Sequence, residues 1–354
     1  MPPTRYPIGL PTLDDAFGGG LWPGLLFVVQ GAPGAGKSSL GIQLAGEYHR
    51  SHGGRVYVYA PDEGARAACV RLGQLYGIDR DNLEWCRDDA LDELDGAYPA
   101  GFINIVDADH EDAVLETFLD QIEEEMRFAK PDSPPPLFVL DSIQAIRTDA
   151  EFETRREQIE YAMQLLREFC TRTHAIVVVV SHVSRPAFAS KKAEERIDSL
   201  AASAESASIT RACQAMLNLD GDLMEEVSAL LRKNRLHRGA KPSFAMRYDI
   251  PRGCHVELPS EQVTAERAAK KAQQSEAQAK LKTAAHEKAV NEIAGEIDRR
   301  IRKASPARLS TRQLRELIGG RLDNFNEALR GLETQGVIDF EHGARGALLW
   351  GLKK

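Results

Sequence analysis

The stretch Leu25-Leu26-Phe27-Val28-Val29-Gln30, followed by Gly31-Ala32-Pro33-Gly34-Ala35-Gly36-Lys37-Ser38, decides how the rest of this chain is read. An apolar run of strand length ends on a loop with glycine at 31, 34 and 36, and helical spacing resumes over Ser38–Tyr48. In that setting the spacing Gly-x4-Gly-Lys-Ser is a phosphate-binding loop. Backbone N–H groups must point inward at phosphate oxygens, so glycines stand where side chains would obstruct, and the helix N-terminus adds its dipole. The loop predicts Mg-ATP, held by Gly31, Ala32, Pro33, Gly34, Ala35, Gly36, Lys37, Ser38 and Ser39. Lys37 would reach the β and γ phosphates, and the Ser38 hydroxyl would ligate Mg²⁺.

Outward from this loop, residues 1–258 alternate strand and helix patterns. Strands are expected at Leu25–Gln30, Val56–Ala60, Phe102–Asp107, Leu137–Leu140, Ala175–Ser181, Ala215–Leu219, Val227–Leu231 and Ser243–Tyr248. Several are near-continuous apolar runs, as central strands read when helices cover both faces of a parallel sheet. Helices are expected at Ser38–Tyr48, Ala65–Tyr76, Asp112–Phe128 and Arg155–Thr171. The fold class is α/β with a mostly parallel sheet. Pro131–Pro136 reads as a surface loop, and 185–208, polar and without clear periodicity, as a mobile one.

Strand ends supply the other candidate groups. Asp141 closes Leu137–Leu140, and a carboxylate beside a phosphate loop can hold the water shell of Mg²⁺. Asp62 and Glu63 follow Val56–Ala60. Glu63 is the preferred base for the attacking water, Asp62 its rival, and a helix-start acid favoured by the dipole the plainer alternative. Ser181-His182 ends another strand, where His182 either senses a γ-phosphate or is an ordinary satisfied histidine. Lys233-Asn234-Arg235 follows a further strand, either as cations for the charge developing in phosphoryl transfer or as a solvated basic turn.

From Glu261 to Lys303 the composition shifts to Ala, Lys, Glu and Gln, which predicts a helical connector, 259–303, of solvated spacer character. Residues 304–354 regain a compact pattern. Ser310-x-x-Gln313 is a capping box opening a helix to Ile318, and a second helix runs from Asp323 to Gln335. Val337–Phe340 and Ala347–Trp350 then flank a turn. Two helices followed by a hairpin make a winged helix. The second helix carries Asn324, Asn326 and Arg330, and Arg345 sits at the tip of the wing, able to contact duplex DNA; docking a partner protein is the other use of such a domain.

The 354 residues carry a net charge of −8, unevenly spread. Residues 261–354 hold 18 Lys+Arg against 13 Asp+Glu, the remainder 27 against 40. A basic C-terminal quarter on an acidic body permits a nucleic-acid partner without demanding one. No signal-peptide pattern or membrane-length apolar run is present, and none of the five cysteines forms a CxxC pair. A structural zinc site is not expected, and a reduced cytoplasmic compartment fits.

Taken together, these residues resemble the RecA superfamily. Tyr6-Pro7-Ile8-Gly9 through Leu13-Asp14 and Gly18-Gly19-Gly20-Leu21-Trp22-Pro23-Gly24 resembles the opening of the RadA and KaiC families. Leu140-Asp141-Ser142-Ile143-Gln144 resembles the RadA Walker B segment, Ser181-His182-Val183-Ser184-Arg185 its GHVTK segment, and Lys233-Asn234-Arg235 both its KNRFG motif and the K-x-R element of DnaB-type ring helicases. The resemblance covers roughly residues 6–250 and implies a RecA-like core. It implies Glu63 as catalytic base, and Lys233 and Arg235 reaching a neighbouring subunit's ATP in a ring, expected as a hexamer. Single-stranded DNA would pass along the loops at about 145–156 and 184–207. Arg147, Arg155 and Arg156 in one loop and Arg185, Lys191 and Lys192 in the other favour DNA, while the acidic core favours a KaiC-like switch acting on protein. KNRFG departs at Leu236-His237, and neither a zinc ribbon, a Lon-like domain nor a DnaB-type helical domain is seen. A single core with a C-terminal winged helix is more like compact plasmid- or phage-type replicative ATPases such as RepA.

Overall fold

The computed structural model describes residues 4–85, Leu94, Gly96, 103–106, 114–130, 132–182, 204–235 and 240–353. It divides into two compact units, Met1–Val263 and Thr264–Lys354.

The first unit is built on β1 (Leu26–Gly31), β2 (Val56–Tyr59), β3 (Ile103–Val106), β4 (Leu137–Leu140), β5 (Ile176–His182), β6 (Ala215–Gly221), β7 (Val227–Asn234), β8 (Ser243–Asp249) and β9 (Cys254–Glu257). They form one sheet in the order β3-β2-β4-β5-β1-β6-β7-β8-β9. The six strands from β3 to β6 run parallel. The last three extend the sheet antiparallel. Strand β9, with polar His255 and Glu257, gives no alternating apolar signal and was not expected from the sequence.

Successive residues of a strand face opposite sides, so each parallel strand feeds two cores. Phe27, Val29, Val139 and Val178 pack with α1 (Pro11–Ala16), α2 (Lys37–His52) and α3 (Ala65–Leu75). After the short α4 (Arg80–Glu84), the helices α5 (Leu115–Met126), α6 (Arg155–Thr173) and α7 (Ala204–Ala212) follow on the other face. There Leu26, Val28, Phe138, Leu140 and Val179 pack against Phe118, Leu166 and Ile209. This two-sided burial makes the strands read as unbroken apolar runs. Helix α7 corrects the expected loop over 185–208: residues 204–208 are helical, and the rest of that segment, with Arg185, Lys191 and Lys192, lies outside the described residues.

The glycine-rich opening has a physical reason. Tyr6 and Leu21 pair backbone to backbone, and a Cβ on Gly20, at φ +120°, would overlap the Tyr6 carbonyl. Asp14 ties the same segment by accepting from the Ile8 and Gly9 amides at 3.0 and 3.1 Å.

Helix α8 (Ser260–Ala304) bridges the sequence of the two units. Residues 276–288 are exposed, as a spacer helix would be, but Ile293, Ile297 and Ile301 pack into the core of the second unit with Leu314, Phe325, Leu329 and Trp350. That unit continues with β10 (Leu309–Ser310), α9 (Thr311–Ile318), α10 (Leu322–Thr334), β11 (Ile338–His342) and β12 (Leu348–Leu352). Ser310 opens α9 with the expected capping box. The three strands form a sheet in the order β10-β12-β11. The side chain of Arg345 lies outside the described residues. Among the described residues no helix is long and apolar enough to cross a membrane.

Candidate nucleotide site

Register brings the tips of the parallel strands to one edge. Gly31 pairs with His182 across β1 and β5, Leu140 with Val179 across β4 and β5, and Tyr59 with Leu140 across β2 and β4. The phosphate loop, Asp62, Glu63, Asp141 and His182 therefore emerge side by side, on the edge where open α/β sheets bind ligands.

The loop turns out of β1 into α2, whose N-cap, Gly36, has φ +76°. A Cβ there would meet Leu223 and lie 2.7 and 2.8 Å from the His255 ring. Lys37, Ser38, Ser39 and Asp141 are all buried. Lys37 Nζ donates to the Ala32 carbonyl at 2.9 Å, and burial lowers its pKa, opposed by Asp141, Glu63 and Asp62. The Ser38 hydroxyl donates to Asp141 at 3.2 Å. Burial raises the Asp141 carboxyl to about 6, with the Ser38 hydrogen bond pulling the other way.

This donor set fits Mg²⁺ with a triphosphate. Among the described residues no group of three His, Cys, Asp or Glu could hold a metal by itself. One hydroxyl beside one carboxylate suits a cation that keeps several waters and takes its other ligands from phosphate oxygens. The buried Lys37 supplies the matching positive charge.

The two rival carboxylates have different partners. Glu63 forms an ion pair with Arg71 of α3. Asp62 contacts His182 Nε2 at 3.0 Å and accepts from the Ser142 hydroxyl at 3.4 Å. Both act on Lys37, Glu63 more strongly than Asp62. Beside them lies a cleft of about 510 Å³ lined by Ser39, Glu63, Arg71, Leu223, Tyr248 and Ile250. Gln144 joins the tips of β4 and β5. Its amide donates to Ser181 Oγ at 3.1 Å and to the His182 carbonyl at 3.3 Å, and its oxygen accepts from the His182 amide at 3.0 Å.

Lys233 and Arg235 do not join this edge. β7 runs antiparallel to β6, with Lys233 opposite Met216 and Asn234 opposite Ala215, whereas Gly31 lies opposite Leu219. The two cations thus sit at the far end of the sheet. Lys233 Nζ donates to the Thr210 carbonyl, and burial lowers its pKa. Arg235 donates to the Arg211 carbonyl at 3.4 Å. The larger cleft of about 660 Å³ between α6 and α7 includes Arg211 in its lining and contains none of the phosphate-loop residues.

Sequence reasoning missed Arg71, Gln144's bridging contacts and His255. Arg71 is one of two arginines on its helix, and His255 lies in a strand with no apolar signature.

The family model described as "AAA domain" matches residues 8–187. Two curated relatives are the DNA repair proteins RadA of Aquifex aeolicus and of Synechocystis. They are 27% identical over 188 residues and 29% over 185. Each alignment covers 51% of this chain but 33% of the relative, so the chain matches about a third of their length. Among solved structures, one described as an ATPase domain superposes with a TM-score of 0.59 at 18% identity, covering 72% of this chain and 92% of that one. A DnaB-like replicative helicase, solved with its interactions with primase, gives 0.60 at 17%, covering 72% and 62%. At these identities the structural likeness speaks to fold. With half its length matched by the family model and its strands in this arrangement, the chain belongs to the AAA domain family and is built on a RecA-superfamily P-loop core.

Proposed function

We propose that this edge binds Mg-ATP and hydrolyses it. The observation that carries the reading is the convergence, on one sheet edge, of a buried lysine, a Ser38–Asp141 pair and a carboxylate paired to Arg71. When bound, Mg²⁺ neutralises charge on the phosphate oxygens. Ser38 and Asp141 would hold it, directly and through water. Lys37 would exchange the Ala32 carbonyl for phosphate oxygens, a substitution favoured by its burial, since a desolvated cation gains most from an anionic partner. Glu63 would orient the attacking water and take its proton, and His182 would contact the γ-phosphate from the tip of β5.

The far edge supports action between subunits. Lys233 and Arg235 lie at the other end of the sheet from their own phosphate loop, so they would serve a neighbour's nucleotide in a homo-oligomeric ring, expected to be hexameric. The element order of the second unit supports a winged helix that contacts duplex DNA or a partner protein. With RadA proteins among the relatives, the whole chain reads as a DNA-dependent motor of helicase or branch-migration type, in replication, recombination or repair. A second reading, a switch acting on protein without DNA, is favoured by the charge of residues 1–260, with 27 Lys+Arg against 40 Asp+Glu. Comparing the ATPase rate with and without single-stranded DNA separates them. Stimulation supports the motor, and an unchanged rate in a protein that turns over ATP supports the switch.

A further inference from the structure

The phosphate loop turns its carbonyls onto donors of its own protein. The Ala32 carbonyl accepts from Lys37 Nζ, the Gly34 carbonyl from the Leu223 amide at 2.9 Å, and the Gly36 carbonyl from the Leu40 amide at 2.9 Å. The Gly36 oxygen takes a second bond, at 3.0 Å, from Nε2 of His255. A carbonyl can only accept, so Nε2 carries the hydrogen. Burial holds the ring neutral, with its pKa lowered to about 4, and Nδ1 is the buried nitrogen without a hydrogen-bond partner. The neutral Nε2–H tautomer satisfies both facts.

His255 is itself fixed. The residue is 2% exposed, and its ring meets Tyr248 edge-on at 5.4 Å. Its backbone is clamped by the buried Gln43 of α2, whose oxygen accepts from the His255 amide at 2.7 Å and whose nitrogen donates to the His255 carbonyl at 3.0 Å. The antiparallel strands place two hairpin turns, after β6 and after β8, at the phosphate-loop edge. Leu223 comes from the first and His255 follows the second.

We propose that His255 is a positioning residue for phosphate binding, holding the Gly36 carbonyl away from the anion so that the loop keeps its binding shape before nucleotide arrives. The proposal rests on reading this loop as the ATP site. An oxygen facing a phosphate would repel it, and a loop held in the productive shape spends no binding energy on reorganisation. His255 touches neither nucleotide nor metal in this role and acts through Gly36 alone.

Three variants of the 354-residue chain test it, with Mg-ATP affinity read from a fluorescent ATP analogue and folding from circular dichroism. His255→Leu fills the site without a donor and should bind roughly three- to tenfold more weakly, the loss expected for one hydrogen bond. His255→Gln can set its amide nitrogen near the place of Nε2 and should regain affinity to within about twofold of wild type. His255→Asn carries the same amide on a shorter arm and should stay weak. A merely structural histidine would make Gln and Asn alike. Equal affinity of Gln and Asn, or wild-type affinity in a folded His255→Leu protein, overturns the proposal. Should His255→Leu fail to fold, the Gln–Asn pair decides. If wild-type protein binds the probe no better than Lys37→Ala does, the site reading itself is wrong and the positioning role falls with it. That outcome is distinct from a wild type that binds well and a His255 series that does not differ.

Discussion

Strands β3, β2, β4, β5, β1 and β6 run parallel, and β7, β8 and β9 antiparallel, within a single sheet. In the parallel part every C-terminal tip reaches the same edge, so reactive groups from distant sequence positions gather there. In the antiparallel part neighbouring strands reverse. That reversal sends Lys233 to the opposite edge and brings Leu223 and His255 up against the phosphate loop from outside. One part carries the candidate chemistry, while the other packs against the loop and, in the proposed ring, would face a neighbour. Substitutions in the two should differ in kind: loss of turnover in the first, with binding lost as well at Lys37, and in the second a milder loss of binding or a deficit shared between subunits.

The largest effect belongs to Lys37→Ala, which should abolish ATP turnover while leaving the fold intact. Lys37 is a buried cation beside Asp141, Glu63 and Asp62, and circular dichroism of the variant checks that the fold survives its removal. Turnover in a folded Lys37→Ala protein would remove the parallel edge from the chemistry.

Arg235→Ala should come next, with hydrolysis reduced roughly 10³-fold or more, as for other arginines that stabilise phosphoryl transfer, and nucleotide binding retained. Mixed with Lys37→Ala subunits it should recover part of the rate, because some interfaces then pair a sound loop with a sound arginine. No recovery at any ratio, in subunits shown to co-assemble, would leave Arg235 without a part in a neighbour's site.

Glu63→Gln should slow hydrolysis by about 10²–10⁴-fold with ATP still bound. Asp62→Asn should do less, since Glu63 lines the cleft beside the phosphate loop whereas Asp62 is turned to His182 and Ser142. The reverse order of the two variants would move the base by one residue.

The same division explains how much was legible in the sequence. β1, β2, β4 and β5 are buried on both faces and read as apolar runs, and their tips carry residues whose spacing has a chemical meaning, so Lys37, Ser38, Asp141 and Glu63 stood out as candidates, and the fold brings them to one edge. β9 is an edge strand of four residues, Cys254-His255-Val256-Glu257, with Val256 exposed. Its membership depends on a hairpin with β8 and on the Gln43 clamp, and the second of these reaches across 212 residues. His255 lies 219 residues from Gly36, and no local pattern announces such a contact. Helix α7 failed for a different reason: Ala204–Ala212 is rich in Ala and Ser, too weakly amphipathic to stand out, and takes its place through Ile209 against the sheet. In the second unit the capping box at Ser310 was readable because it is local, whereas the packing of Ile293, Ile297 and Ile301 was hidden within a long polar helix.

The smallest effect tests the antiparallel part through stability. Burial lowers the His255 pKa from 6.5 to about 4. An unfolded chain takes up the proton as pH falls below 6.5, and the folded chain only near 4. The stability owed to keeping the ring neutral is fully present above 6.5 and is lost as the pH drops through that window, by up to ~3 kcal/mol. Glutamine does not titrate, so His255→Gln lacks this loss. The difference in urea-unfolding free energy between wild type and His255→Gln should therefore shift in favour of the variant as the pH falls from about 7 towards about 4.5. Other groups titrate in the same range in both proteins and cancel in the comparison. A difference independent of pH would mean that the folded protein admits a charged ring at 255. A solvated, titrating ring could not be the fixed neutral donor that the Gly36 carbonyl requires.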